Sequence, residues 1–201
     1  MTDTPAIVSL ILFFAVTSVH LYASLKQDKA LRAKTKPCIL LTLLAFYCFA
    51  TDNISATVVL ALFFSWLGDV LLIPEGNKWF VAGGISFMIS HFFFMVTYAL
   101  LTDFSKVNTA FIVVIPLIFA IAAVITFKYL RPYLPKALFW PMLLYLVING
   151  GMNSFAWFRS LSNPGSAAII TAIGALLFYI SDTTLFFVRF KNDRKARTHF
   201  M

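Results

Sequence analysis

Seven long apolar stretches account for most of the chain, and they limit what it can fold into more than any other feature. An apolar stretch of about 20 residues can cross a bilayer as a helix, and polar residues, proline or glycine separate these stretches. Of the 201 residues, 61% are hydrophobic and only 12% are charged, a charged share well below that of a soluble domain. The predicted helices cover residues 5–25, 37–51, 55–73, 79–101, 109–127, 137–158 and 166–190.

These stretches predict an all-α protein, a polytopic bundle of seven transmembrane helices that forms a single integral membrane domain over residues 1–201. Of the 16 Lys and Arg residues, all except Lys106 and Arg159 fall in alternate loops or at the C-terminus. Because cytoplasmic loops of membrane proteins are enriched in Lys and Arg, we expect the N-terminus outside and the C-terminus in the cytoplasm. The same rule accounts for the net charge of +8, and we expect no nucleic-acid partner.

Few ionisable or strongly polar side chains lie inside the predicted helices, and they are the candidates for chemistry because charge in hydrocarbon is costly. Asp69 and Asp182 lie about 6 and 12 Å from the cytoplasmic ends of the third and seventh helices. If these helices are neighbours, both carboxylates reach one cavity. His91, Asn149 and His20 could line the same polar pocket. The alternative for each His and Asn is a hydrogen bond between helices that stabilises the bundle.

Several chemistries lack the residues that they require. The chain has three His residues without the spacing of a helical metal site, so we expect no metal and no cofactor. The seventh predicted helix has no Lys for a retinal Schiff base. Two buried carboxylates suit general acid and base catalysis, but they also suit a proton-coupled transporter, and their spacing does not separate the two.

Three motifs, in the same order along the chain, resemble those of the YhhN-like lysoplasmalogenase family of polytopic membrane alkenyl-ether hydrolases. The first is Gly68-Asp69-Val70-Leu71-Leu72, similar to Gly-Asp-x-x-Leu. The second is Phe80, Gly83, Phe87 and His91, similar to Phe-x-x-Gly-x-x-x-Phe-x-x-x-His. The third runs from Gly174 to Asp182, similar to Gly-Ala-x-Leu-Phe-x-x-Ser-Asp, and is followed by the basic-aromatic pair Arg189-Phe190.

The sequence also contains one looser match to the family, and it differs from the family pattern in two places. Tyr145 with Met152 is a looser match in the sixth predicted helix. Phe94 stands where many relatives carry Tyr, and this chain has a basic segment from Lys191 to Met201 where family members usually continue into an eighth helix.

The resemblance implies hydrolysis of the vinyl ether bond of a lysoplasmalogen, which releases a fatty aldehyde and a glycerophospho-ethanolamine or -choline. Asp182 is then the proton donor and Asp69 the carboxylate that stabilises the cation or positions water, although these roles could be exchanged. The substrate would be a lysophospholipid in the bilayer. Its predicted contacts are His91, Ser181, Tyr145 and Asn149 in the cavity, with Arg189 and Lys78 at the phosphate.

Two other functions stay open at this point. The same aspartates could relay protons in a small proton-coupled transporter, or the motifs could pack a membrane scaffold without catalysis. A multi-pass location in a bacterial inner membrane is the expectation for either enzyme or transporter.

Overall fold

The chain is helical throughout residues 4–192, the part that the computed structural model describes. Within this range we number seven α-helices in chain order, and the prediction of an all-α protein with seven helices is confirmed. The helices are α1 (Thr4–Leu25), α2 (Lys29–Ala50), α3 (Ala56–Leu71), α4 (Asn77–Leu100), α5 (Thr109–Leu130), α6 (Phe139–Ser162) and α7 (Ser166–Phe186).

Five of these helical segments are long and apolar enough to cross a membrane, as expected for a multi-pass membrane protein. They are Thr4–Leu25, Lys29–Ala50, Asn77–Leu100, Thr109–Tyr133 and Ser166–Lys191. Helix α3 is apolar but has only 16 residues. Helix α6 is long enough, but it carries several buried polar side chains, among them Asn149, Asn153 and Ser154.

Helix α2 begins eight residues before the predicted start at residue 37. The side chain of Asp28 accepts a hydrogen bond from the backbone N–H of Leu31 at 3.0 Å and so caps the new start. Pro37 lies inside the helix and not at its first turn. The basic residues before Pro37 concealed the helix, because a run of charge next to a proline is also typical of a loop. The 22 residues of α2 extend for about 33 Å.

The chain forms two compact units, and the first contains residues 1–90. In its described part α1 packs along α2, and α3 packs against the first half of α4. The hydroxyl of Ser90 donates to the carbonyl of Ala61 at 2.8 Å and lies 2.6 Å from the hydroxyl oxygen of Ser65. A Cβ added at Gly68 would lie only 2.7 Å from the ring of Phe87. Gly68 therefore lets α3 and α4 approach closely.

The second unit begins at His91, so it contains the second half of α4 together with α5, α6 and α7. Helix α6 packs on both α5 and α7. One apolar cluster joins α4, α6 and α7, and its buried members are Tyr98, Met152, Ala156, Ala172 and Ala175. Helix α7 continues into a short π-helical segment, Phe187–Asn192.

Candidate functional site

Asp182 occupies a core position of α7 in the second unit. The buried residues of this helix recur at intervals of four and three and form one stripe, which consists of Ala168, Ala172, Ala175, Tyr179, Asp182 and Phe186. Asp182 is only 8% exposed. A carboxyl group at such a position needs hydrogen-bonding partners, because burial of an unpaired charge is costly.

Two side chains of α6 supply hydrogen bonds to Asp182. The Tyr145 hydroxyl donates to Asp182 Oδ2 at 2.5 Å, and Asn149 Nδ2 donates to the same oxygen at 2.9 Å. Tyr145 and Asn149 are four residues apart and therefore lie on the same face of α6. Both are buried. Three of the predicted site residues are thus brought together in the second unit.

His91 completes this group, which we call the Asp182 cluster: Asp182, Tyr145, Asn149 and His91. Its Nε2 lies 3.7 Å from Asp182 Oδ2, a distance too long for a hydrogen bond. The ring packs edge-on against Tyr145 and Phe178 and is 1% exposed. Neither ring nitrogen has a hydrogen-bond partner among residues 4–192. Because a buried polar group without a partner costs about 1–3 kcal/mol, His91 is well placed to bind a polar ligand atom or water.

Asn153, which the sequence did not single out, orients Asn149. Asn153 Nδ2 donates to the Asn149 side-chain oxygen at 3.1 Å and to its backbone carbonyl at 3.0 Å. With its oxygen engaged by Asn153, Asn149 presents its amide N–H to Asp182. The spacing of four between two Asn residues in one apolar helix is the signal that could have identified this pair.

An apolar cavity of about 340 Å³ lies beside α6 in the second unit. Leu146 and Gly150, which line it, each follow directly after a member of the Asp182 cluster. The other walls come from α5, including Pro116, Phe119 and Ala123. A hydrocarbon chain is the kind of group that such a lining accepts.

Asp69 lies in the first unit and makes an ion pair with Lys36 of α2. The Lys36 Nζ to Asp69 Oδ1 distance is 3.1 Å, and the Asp69 side chain is 22% exposed. In the sequence analysis, Lys36 counted only as one of the basic residues that predict the membrane topology. That Asp69 and Asp182 face one cavity stays a prediction, because the two residues belong to different units.

Three predicted site residues remain: Ser181, Lys78 and Arg189. Ser181 is exposed on α7, Lys78 is exposed in the first turn of α4, and Arg189 is partly buried in the π-helical segment. Ser181 precedes Asp182, but successive helical residues point about 100° apart. The substrate contacts proposed for these three residues stay predictions.

The chemistry available to the Asp182 cluster is proton transfer. A carboxyl group, a phenol and an imidazole can each donate or accept a proton, and burial keeps bulk water away from them. Within residues 4–192, no group of three His, Cys, Asp or Glu side chains is arranged to hold a metal ion.

Comparison with known proteins gives one match. The family model described as the YhhN family matches residues 31–201, a region that includes the whole Asp182 cluster. No curated protein sequence and no solved structure matches the chain significantly.

Proposed function

The chain belongs to the YhhN family, and from that premise we propose that it hydrolyses the vinyl ether bond of lysoplasmalogens. The observation that supports this proposal best is the buried Asp182 carboxyl, which Tyr145 and Asn149 hold through one oxygen. Hydrolysis of an enol ether requires a positioned acid, and it needs little else from the protein beyond a held water.

Asp182 is the proposed acid. Tyr145 and Asn149 both donate to Oδ2, so the transferable proton would be carried on Oδ1. This proton adds to the β-carbon of the vinyl ether, and the electron pair of the double bond forms the new C–H bond. The positive charge then rests on the α-carbon and the ether oxygen, and Asp182 is left as a carboxylate that stabilises it.

Water completes the reaction. It adds to the α-carbon and loses one proton, which returns to the Asp182 carboxylate. The resulting hemiacetal then transfers its hydroxyl proton to the glycerol oxygen as the bond between that oxygen and the α-carbon breaks. The products are a fatty aldehyde and a glycerophospho-ethanolamine or -choline. His91 is the proposed group that binds this water, since its ring nitrogens have no other partner in the described chain. Its Nε2 is 3.7 Å from Asp182 Oδ2 and could pass the proton back.

Asp69 is the proposed second carboxylate, with the role of stabilising the cation or positioning the water. Its ion pair with Lys36 supports the ionised form of Asp69, which both roles need. We assign the acid to Asp182 because its side chain is the more deeply buried of the two, and charge stabilisation to Asp69 because its partner Lys36 carries an ammonium group.

The single hydrocarbon chain of a lysolipid suits the second unit. The apolar cavity beside α6 would accept the alkenyl chain. Tyr145 and Asn149, which precede the lining residues Leu146 and Gly150 on the same helix, would hold the vinyl ether close to Asp182. We expect the protein to act in a bacterial inner membrane, where its substrate is dissolved in the bilayer.

An assay with detergent-solubilised protein tests the proposal. Purified protein should release fatty aldehyde from 1-O-alkenyl-glycerophosphoethanolamine in micelles and should not cleave the saturated 1-O-alkyl analogue. In deuterated water, the aldehyde should carry one deuterium on the carbon next to the carbonyl, because the proton added there comes from the exchangeable acid. A proton-coupled transporter would release no aldehyde, and that result would reject the hydrolase.

A further inference from the structure

A cavity of about 180 Å³ in the first unit has a basic lining that the proposed reaction does not use. Helix α1 contributes His20, helix α2 contributes three basic residues, and the segment after α3 contributes two apolar ones. The residues concerned are His20, Lys29, Arg32, Lys36, Leu72 and Ile73. A cavity with one basic wall and one apolar wall suits an anionic group attached to a hydrocarbon.

The three basic residues lie on one face of α2. Lys29, Arg32 and Lys36 are separated by three and four residues, the spacing that aligns side chains along a helix. Lys34, by contrast, does not line the cavity and lies on another face of the same helix. Membrane topology requires basic residues at this end of α2, but it does not require them to share the face that lines a cavity.

Two of these three cations have a carboxylate partner. Lys36 pairs with Asp69 at 3.1 Å, and Lys29 pairs with Glu75 at 3.3 Å. The Arg32 side chain makes no hydrogen bond or ion pair with any residue in the range 4–192. One positive charge therefore remains at the cavity, and it belongs to the side chain whose planar fork of N–H groups suits a phosphate best.

The His20 ring is fixed in the wall of the cavity. The Thr35 hydroxyl donates its only hydrogen to the Leu31 carbonyl at 2.9 Å, so it accepts from His20 Nδ1 at 2.8 Å. This hydrogen bond joins α1 to α2 beside Arg32. The cavity is thus bounded by held side chains on two helices.

We propose that this cavity binds the phosphate of a lysophospholipid headgroup, and that Arg32 is its principal ligand. A phosphodiester carries one negative charge, which matches the single positive charge left uncompensated at Arg32. Leu72 and Ile73 would pack against the C–H groups of the glycerol that joins this phosphate to the hydrocarbon chain. The inference rests on the proposed function for the identity of the lipid, but binding requires no cleavage.

The test measures binding of a lipid that cannot react. The probe is 1-O-alkyl-glycerophosphoethanolamine, which has the phosphate and the tail but no vinyl ether, and native mass spectrometry of the full-length protein in detergent reports the bound fraction. Arg32→Ala should weaken binding of this probe about 10-fold, since it removes a charge-assisted contact. Lys34→Ala, which removes an equal charge from another face, should leave the affinity unchanged.

Three controls show whether a loss of binding in Arg32→Ala comes from the missing contact with the phosphate. Alkylglycerol, which has the same tail without phosphate, should bind equally to the wild type and to Arg32→Ala. Arg32→Gln, which keeps most of the side-chain length, should show the same loss as Arg32→Ala. Unchanged gel-filtration profiles should accompany both variants.

Different outcomes separate this inference from the proposed function. Equal losses in Arg32→Ala and Lys34→Ala, or none in Arg32→Ala, would overturn the phosphate site even if the protein cleaves vinyl ethers. Binding of inorganic phosphate alone as tightly as the lipid would assign the cavity to the free anion and also overturn it. Loss of probe binding in Arg32→Ala from a protein that releases no aldehyde would support the site and reject the hydrolase.

Discussion

Helix α6 orients Asp182, because Tyr145 and Asn149, which both donate hydrogen bonds to it, lie one turn apart on that helix. Tyr145 and Asn149 fix Oδ2, and Asn153 fixes the Asn149 amide from a further turn away. The carboxyl group is thus held through a chain of side chains on one helix. Such a chain restricts the carboxyl to a single direction, which proton transfer to carbon requires.

Replacement of Tyr145 by Phe tests the contribution of this orientation. The change removes only the hydroxyl that donates to Asp182 Oδ2, and a hydrogen bond to a charged group contributes about 1.5–3 kcal/mol. Loss of that amount from the transition state should reduce turnover of the vinyl ether about 10- to 100-fold. The matched control is Tyr22→Phe, an exposed tyrosine of α1, which should keep the wild-type rate. Full activity of Tyr145→Phe would show that the hydroxyl does not position the acid.

The sequence identified the members of the Asp182 cluster but not their pairing. His91, Tyr145, Asn149 and Asp182 are recognisable as polar groups at membrane depth or as parts of motifs. That α6 turns Tyr145 and Asn149 toward Asp182, however, depends on packing along the whole of α6 and α7. Lys36 was missed for the same reason: its ion pair with Asp69 needs α2 and α3 side by side.

At the scale of the helices, small residues set the distance between α3 and α4. Gly68 lies against the ring of Phe87, and Gly83 lies against the side chain of Leu72. Each pair joins residues from the two motifs that the sequence showed on these helices. The glycines of these motifs therefore have a packing role that is independent of catalysis.

Gly68→Ala should destabilise the protein, because the new Cβ would lie 2.7 Å from the Phe87 ring. Overpacking of this kind costs about 1–3 kcal/mol, so the thermal unfolding midpoint in detergent should fall by several degrees. Gly84→Ala is the matched control in the neighbouring helix, since a Cβ there meets no atom within 4 Å. Its midpoint should be unchanged or slightly higher, because Ala favours helix over Gly. Equal midpoints for both variants would contradict the close approach of α3 and α4.

The helix starts were predicted correctly where the composition changes sharply along the chain, and incorrectly where it does not. The start of α7 was predicted at residue 166, as observed, because Pro164-Gly165 precedes it. The start of α2 was missed, because the first eight residues of that helix are largely charged or small and only the Asp28 cap distinguishes them from a loop. Three of the four basic residues in this segment, Lys29, Arg32 and Lys36, line the basic cavity.

At the scale of the whole chain, the alternating charge of the loops predicts the direction in which the helices cross the membrane. The exceptions, Lys106 and Arg159, lie after α4 and in the last turn of α6. The prediction places both residues on the side of the membrane opposite the cytoplasm, and the basic groups of the remaining loops in the cytoplasm.

Fusion of a topology reporter tests this orientation. A reporter after Met201 should be active only in the cytoplasm, and one inserted at Asn163, between α6 and α7, should be active only on the other side. Alkaline phosphatase and green fluorescent protein fusions give opposite signals for each location and control for expression. Both positions on the same side would contradict the predicted topology.

The central claim is that Asp182 donates the proton that opens the vinyl ether, and the aldehyde-release rate of Asp182→Asn tests it most directly. Asn keeps the size of the side chain and its capacity for hydrogen bonds but has no transferable carboxylic proton, so the variant should elute and unfold like the wild type. Its rate with 1-O-alkenyl-glycerophosphoethanolamine in detergent should fall about 10²- to 10⁴-fold. The same change at exposed Asp103, outside the helices of the site, should have no effect. A folded Asp182→Asn protein that releases aldehyde at the wild-type rate would contradict the claim.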